Sequence, residues 1–267
     1  MDIAQTRVLS VDVHVITQSA AINEISEWID RNEKGYVVTP NLSHCVRLKK
    51  DEKFKDSYAS ARLVLADGAP LVIMSVLGAI RLHRVTGSDL LYPLLSRAAE
   101  RKHRVLFLGS TFCRMTKAAK MLSEAIGNLE LVGCYSPSYQ FMEDHAERDE
   151  VIDFINSLSP DIVIVALGAP KQEIWAHESI SRLDTRAVLC LGASLDFYSG
   201  EVQRAPVIFR RLGLEWSWRI IKEPRRLLRR YLSDAMYLPA LLIAEVFNLT
   251  VSRQVSYVNR RLSSMKF

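Results

Sequence analysis

Between Arg104 and Gly192 the apolar residues fall in short dense runs separated by stretches of helical period. The order is "RVLFLGS", a helical stretch from Phe112 to Ile126, "LELVGCY", a helix from Glu143 to Leu158, "DIVIVALG", a helix from Pro170 to Leu183, and "RAVLCLG". Runs of Val, Leu and Ile that end in a small residue are the pattern of parallel strands covered on both faces. Their alternation with helices predicts an α/β fold: a Rossmann-like, mostly parallel sheet flanked by helices. Upstream, "VLSVDVHVIT" reads as the first strand, and Ala21 to Arg31 as a helix with Ile22, Ile25 and Ile29 on one face. "GYVVTPN" and "ARLVLADG" read as two further strands. After Gly200 the strand signals stop and basic residues cluster. The chain therefore divides into an α/β domain, 1–204, and a helical C-terminal appendage, 205–267.

Ligands of open parallel sheets bind at the carboxyl ends of the strands. "TPN" follows "YVV", "ADG" follows "RLVL", "GST" follows "LFL", "GAPKQE" follows "VIVAL" and "GASLD" follows "VLCL", so these turns are the candidates for chemistry.

With 267 residues, 49% hydrophobic and 24% charged, the chain buries a full core without staples. The net charge of +5 is modest and suits an acidic ligand or surface without specifying one. Cys45, Cys113, Cys134 and Cys190 are far apart and form no C-x-x-C pair, which argues against a zinc site or a disulfide framework and for a reduced, cytoplasmic setting. The start "MDIAQTRVLSVDVHVITQ" lacks the basic and apolar regions of a signal peptide. No window reaches the roughly 18 apolar residues of a spanning helix. "YLPALLIAEVFNLTV" is interrupted by Glu245 and reads as a buried or interfacial helix.

In "GAPKQEIW" the free N–H groups of a helix start favour a phosphate, and Lys171 adds charge; an ordinary helix start with an early proline would look the same. "LFLGSTFC" has a single glycine where a dinucleotide fingerprint needs three, which disfavours a nicotinamide enzyme and leaves a mononucleotide or nucleotide sugar open. Asp67 follows a buried strand and precedes the apolar run "APLVIMSVLGAI". A carboxylate beside apolar surface has its pKa raised toward a useful general-base value, although Asp-Gly is also an ordinary turn pair. In "HRVTGSDLL", Arg84 suits phosphate or a surface pair, and Ser88 reads as an N-cap for the helix from Leu90 to Ala99. The six histidines form no metal-binding spacing, and neither a G-x-S-x-G elbow nor a strand-end D-x-D is present.

Taken in order and spacing, "TPN", "ADG", "HRVTGSDLL", "FLGS", "GAPKQE", "LGASLDFYSGEVQRAP" and "GLEWSWRIIKEPRRLLRRY" resemble the WecG/TagA/CpsF family of bacterial glycosyltransferases, from about Val8 to Tyr231. The resemblance implies inverting transfer of a sugar from a UDP-sugar to a polyprenyl-diphosphate-linked saccharide in cell-surface polysaccharide assembly, without a required metal or other cofactor. It places the catalytic aspartate on Asp67, with Thr39, Asn41, Arg84 and Gln172 beside it. The expected nucleotide-sugar contacts are Gly109, Tyr135, Gly168, Lys171, Gly192 and Asp196. The donor stays open among an N-acetylmannosamine-type sugar, a uronic acid and glucose.

In the segment from Gly213 to Tyr231, Arg219, Lys222, Arg225, Arg226, Arg229 and Arg230 share one helical stripe. Ile220, Ile221, Leu227, Leu228, Tyr231 and Leu232 share the opposite one, with a break or kink at Pro224. These cations, with Arg204, are the expected contacts for the acceptor diphosphate or an anionic membrane surface, which would hold the protein peripherally on the inner face of the plasma membrane. A homo-oligomer is compatible with the sequence. A rival reading is a nonenzymatic basic membrane adaptor with a nucleotide-binding core. Nucleic-acid binding ranks last, because the aromatic and basic residues sit on one helical segment outside the sheet rather than along a groove.

Overall fold

A computed structural model describes residues 3–243 except 79, 226, 229–231 and 235. Arg226, Arg229 and Arg230, three of the expected diphosphate or membrane contacts, lie outside the described residues, as does Tyr231 of the apolar stripe.

"VLSVDVHVIT" is not one strand but a hairpin of β1 (Gln5–Val8) and β2 (Val11–His14), paired antiparallel apart from the main sheet. Leu9 and Ser10 form its two-residue turn with φ of 50° and 73°, the conformation that primed hairpin turns require. That turn normally uses Asn or Gly, so the alternating pattern ran through it unmarked.

Helix α1 (Gln18–Asp30) follows, capped by Thr17, and then β3 (Gly35–Val38), α2 (Leu42–Leu48), α3 (Glu52–Ala59), β4 (Leu63–Val64), α4 (Ala69–Leu77) and α5 (Gly87–Glu100). Thr86, not Ser88, caps α5; its hydroxyl accepts from Asp89 N, which leaves Ser88 inside the first turn. The second half continues as β5 (Val105–Gly109), α6 (Phe112–Ile126), β6 (Leu131–Tyr135), α7 (His145–Leu158), β7 (Ile162–Ala166), α8 (Lys171–Ser179), β8 (Ala187–Cys190) and α9 (Ser194–Tyr198). Two short helices, α10 (Val207–Arg211) and α11 (Glu215–Lys222), begin the C-terminal segment.

The six strands β3 to β8 form one parallel sheet in the order β4-β3-β8-β7-β5-β6. Side chains alternate across it. Leu106, Leu108, Val163 and Val165 join a core on one face, while Val105, Phe107, Ile162 and Ile164 join a core on the other. Double coverage explains why the strands read as continuous apolar runs rather than as half-polar ones. From β3 the chain steps outward to β4, and from β5 it steps outward to β6 on the other side, with β7 and β8 filling the space between. Connections that diverge in this way leave a crevice at the carboxyl edge. Every strand of this sheet is parallel, so all the candidate turns emerge at that edge.

The C-terminal segment returns to the body of the protein. Leu227 and Leu241 are buried, Ser43 at the start of α2 hydrogen-bonds the buried Asp234, and the Lys50 ammonium lies 3.6 Å from the Tyr237 ring centroid.

Candidate active site

Two turns are stitched together at the β3–β4 end of the crevice. The Pro40 carbonyl accepts from Asp67 N at 3.1 Å and from Gly68 N at 3.3 Å. A Cβ on Gly68 would come within 3.1 Å of the Asn41 Cα, so glycine is what lets the two turns close. Asn41 caps α2: its Oδ1 accepts from Ser43 N and His44 N, while His44 Nδ1 accepts from Asn41 N. Spending Oδ1 on the cap leaves the Asn41 amide N–H groups as the donors it can offer. Thr39 is buried and donates to the Cys190 carbonyl at 3.3 Å, tying β3 to the end of β8.

Asp67 is crowded by protein atoms. Desolvation, with Glu215 nearby, pushes its pKa up to about 7, against the opposing effects of the Gly87 N–H, Arg219 and Arg84. Arg84, Glu215 and Arg219 are therefore close enough for their charges to act on this carboxyl. A Cβ on Gly213 would meet the Ala69 Cβ at 2.5 Å and Arg84 Nη1 at 3.7 Å, so the turn between α10 and α11 rests on the first turn of α4 beside Arg84. An aspartate with this pKa is largely ionised just above neutral pH and still basic enough to take a proton.

Gln172 occupies the β7–β8 end. Only 3% exposed, its Oε1 accepts from Gly168 N at 3.2 Å and Gly192 N at 3.0 Å, and its Nε2 donates to Glu173 Oε1 at 2.8 Å. Three of the sequence-predicted residues are thus one connected unit. Its hub is the carboxamide, which is committed to protein partners rather than held free. Lys171 is also engaged, donating to the Tyr139 carbonyl at 2.7 Å with its ammonium 4.3 Å from the Tyr139 ring centroid.

Between β5 and β7, Ser110 Oγ donates to Asp196 Oδ1 at 2.5 Å, and Ser110 N donates to the Ala166 carbonyl at 2.9 Å. Gly109 ends β5 hard against the Ala166 backbone. Tyr135 sits farther out, at the end of the edge strand β6. Its ring packs on Phe154 at 5.1 Å between centroids, and its hydroxyl donates to Glu150.

The basic residues divide. Arg204 is held by carboxylates, at 2.6 Å from Asp89 and 3.8 Å from Glu215, and Arg210 reaches the same Asp89. Arg219 is near Asp67, the Lys222 ammonium lies 5.0 Å from the Trp218 ring centroid, and Arg225 is exposed. As the sequence predicts, the helix breaks ahead of Pro224: α11 ends at Lys222 and Glu223 leaves helical geometry. The apolar stripe splits as well, since Leu227 is buried whereas Ile221, Leu228 and Leu232 are exposed. Among the described residues no helix is long and apolar enough to cross a membrane, and no three His, Cys, Asp or Glu side chains are grouped to hold a metal ion.

Sequence reasoning missed Ser110, Glu173 and Glu215. Ser110 and Glu173 each adjoin a residue that was singled out, but nothing local separates a buried, paired side chain from a solvated one.

Strand-end turns of the parallel sheet thus bring a carboxylate with a raised pKa within electrostatic reach of two arginines. Residues 6–251 match the glycosyl transferase WecG/TagA/CpsF family, and the chain belongs to it. Similar proteins include the N-acetylglucosaminyldiphosphoundecaprenol N-acetyl-beta-D-mannosaminyltransferase of Bacillus spizizenii, 32% identical over 80% of this chain and 81% of the relative. Proteins of the same name in Bacillus subtilis, at 33% over 79% and 80%, and Staphylococcus aureus, at 26% over 84% and 87%, are also similar.

Proposed function

We propose that the protein transfers a sugar from a UDP-sugar to a polyprenyl-diphosphate-linked saccharide, inverting to a β-linkage, with Asp67 as the general base. The observation that carries this reading is the Asp67 carboxyl itself, lifted to about 7 and flanked by Arg84 and Arg219. The names of the relatives favour an N-acetylmannosamine-type donor over a uronic acid or glucose, and an undecaprenyl-diphosphate N-acetylglucosamine acceptor.

In this mechanism ionised Asp67 removes the acceptor hydroxyl proton as that oxygen attacks the anomeric carbon from the face opposite UDP. The bond from that carbon to the diphosphate oxygen breaks, and UDP leaves with the electron pair. Arg84 and Arg219 meet the charge that develops, and the fixed dipoles of the glycine turns add to this without reorganising. No metal is assigned a part. Gly109, Gly168, Gly192 and Asp196 border the donor crevice, whereas Lys171 and Tyr135 act through their protein partners.

Purified full chain incubated with a panel of UDP-sugars and a short-chain polyprenyl-diphosphate N-acetylglucosamine should yield a lengthened lipid-linked product by mass spectrometry, strongest with UDP-N-acetylmannosamine. Absence of product with every donor would favour the adaptor.

The membrane contact is assigned to the C-terminal segment, where exposed Trp216, Ile221, Leu228 and Leu232 accompany Lys222 and Arg225. A basic residue near an anionic surface contributes about 1 kcal/mol, and apolar insertion adds to it. Replacing Ile221, Leu228 and Leu232 together with serine should weaken binding to phosphatidylglycerol-containing vesicles by about tenfold or more and leave the circular dichroism spectrum unchanged. Vesicle binding that matches the wild type would refute this assignment.

A further inference from the structure

We propose that Glu173 is a positioning residue: its carboxyl fixes the orientation of the Gln172 carboxamide and, through it, the two glycine turns that border the donor crevice. A carboxamide has two orientations related by a flip, and its hydrogen-bond partners choose between them. Gly168 N and Gly192 N both point at Gln172 Oε1. In the flipped orientation they would face the NH₂ group, donor against donor. On the other side Glu173 Oε1 accepts from Nε2 at 2.8 Å, which makes the observed orientation the one that satisfies all three contacts.

The surroundings of Glu173 give the packing alternative little support. The residue is fully buried, and its Oε2 has no hydrogen-bond partner. The buried Tyr58 hydroxyl, also without a partner, is close enough for Glu173 to raise its pKa. Cys190 from β8 is close enough to feel the Glu173 charge, Cys45 from α2 acts on Tyr58, and Arg47 is the cation that favours the ionised form of Glu173. Desolvation raises the Glu173 pKa to about 7, so the group carries a standing cost in this place. An apolar residue would fill the volume without that cost, but it could not accept from Gln172. The carboxyl oxygen accepts whether or not the acid is ionised, and this is the property the Gln172 contact uses.

That the turns belong to a donor site rests on the function proposed above; the Glu173–Gln172 clamp does not, and the test separates the two. Amide hydrogen exchange at Gly168 and Gly192 is measured by NMR on the full chain, alongside UDP affinity by calorimetry. Glu173→Gln retains an acceptor oxygen and should leave both exchange rates and the UDP Kd within about threefold of wild type. Glu173→Met fills similar volume without an acceptor and should speed exchange at both glycines, and weaken UDP, by about tenfold or more. Wild-type behaviour of Glu173→Met, or equal damage from Glu173→Gln, would overturn the proposal. If Glu173→Met does not fold, Glu173→Asp draws the acceptor back by one methylene and should still speed exchange at the same two amides; unchanged exchange there would overturn it equally. A wild-type chain that does not bind UDP would refute the donor-site reading while leaving the exchange data to decide the clamp.

Discussion

Asp67→Asn is expected to lower turnover by about 10²–10⁴-fold while leaving UDP affinity within error of wild type. The substitution removes the basic oxygen and keeps the shape, so donor contacts survive and only proton removal is lost. Its effect on stability has a sign that serves as a second check. The folded-state pKa of about 7 lies above the ordinary 3.8, so the folded protein holds this proton more tightly than the unfolded chain. Ionisation therefore opposes folding. The penalty is absent below about pH 4, grows as pH rises through the interval between the two values, and is complete above about 7. Removing the charge should raise the melting temperature at pH 8 and leave it nearly unchanged at pH 4. Wild-type kcat/KM should climb tenfold per pH unit below 7 and level off above it. A variant that kept near-normal turnover would exclude Asp67 as the base. A stability gain as large at pH 4 as at pH 8 would show that its carboxyl is not held against desolvation.

The carboxylate was legible because it follows a buried strand and precedes an apolar helix, and both features survive in the folded protein as β4 and α4. The main sheet was legible for a related reason: strands covered on both faces have no polar positions to blur the pattern. The failures lie where a local signal was weak or a distant one decided. Leu9 and Ser10 make a hairpin turn without the residues that announce one. Ser88 and Thr86 are both competent caps, and the choice was settled by which hydroxyl reaches Asp89 N. The resemblance put Gln172 beside Asp67 without revealing its partners, Gly168, Gly192 and Glu173. That Arg204 pairs with Asp89, far away in sequence, had no local signal either. The Gly192 and Asp89 contacts join residues 20 and 115 positions apart, which no short window of sequence contains.

Gly109→Ala is the stability change with the largest expected effect. In the sequence Gly109 is an expected nucleotide-sugar contact, yet in the fold its strictest constraint comes from packing. Its φ is +104°, a region that L-residues adopt only under strain. A Cβ there would also meet the Ala166 carbonyl carbon at 2.6 Å, its oxygen at 2.8 Å and Leu167 N at 2.9 Å. All three are backbone atoms of the neighbouring strand and its exit, and no side-chain rotation can relieve them. Strain alone costs about 1–3 kcal/mol, and prising β5 from β7 adds overpacking of about the same size. The expected loss is therefore about 3 kcal/mol or more in urea unfolding. Gly127 separates the two contributions: its φ is +79°, but a Cβ would find nothing within 4 Å. Gly127→Ala should cost about 1 kcal/mol from conformation only. If both variants unfolded at the same urea concentration, the contact between β5 and Ala166 would not be the constraint.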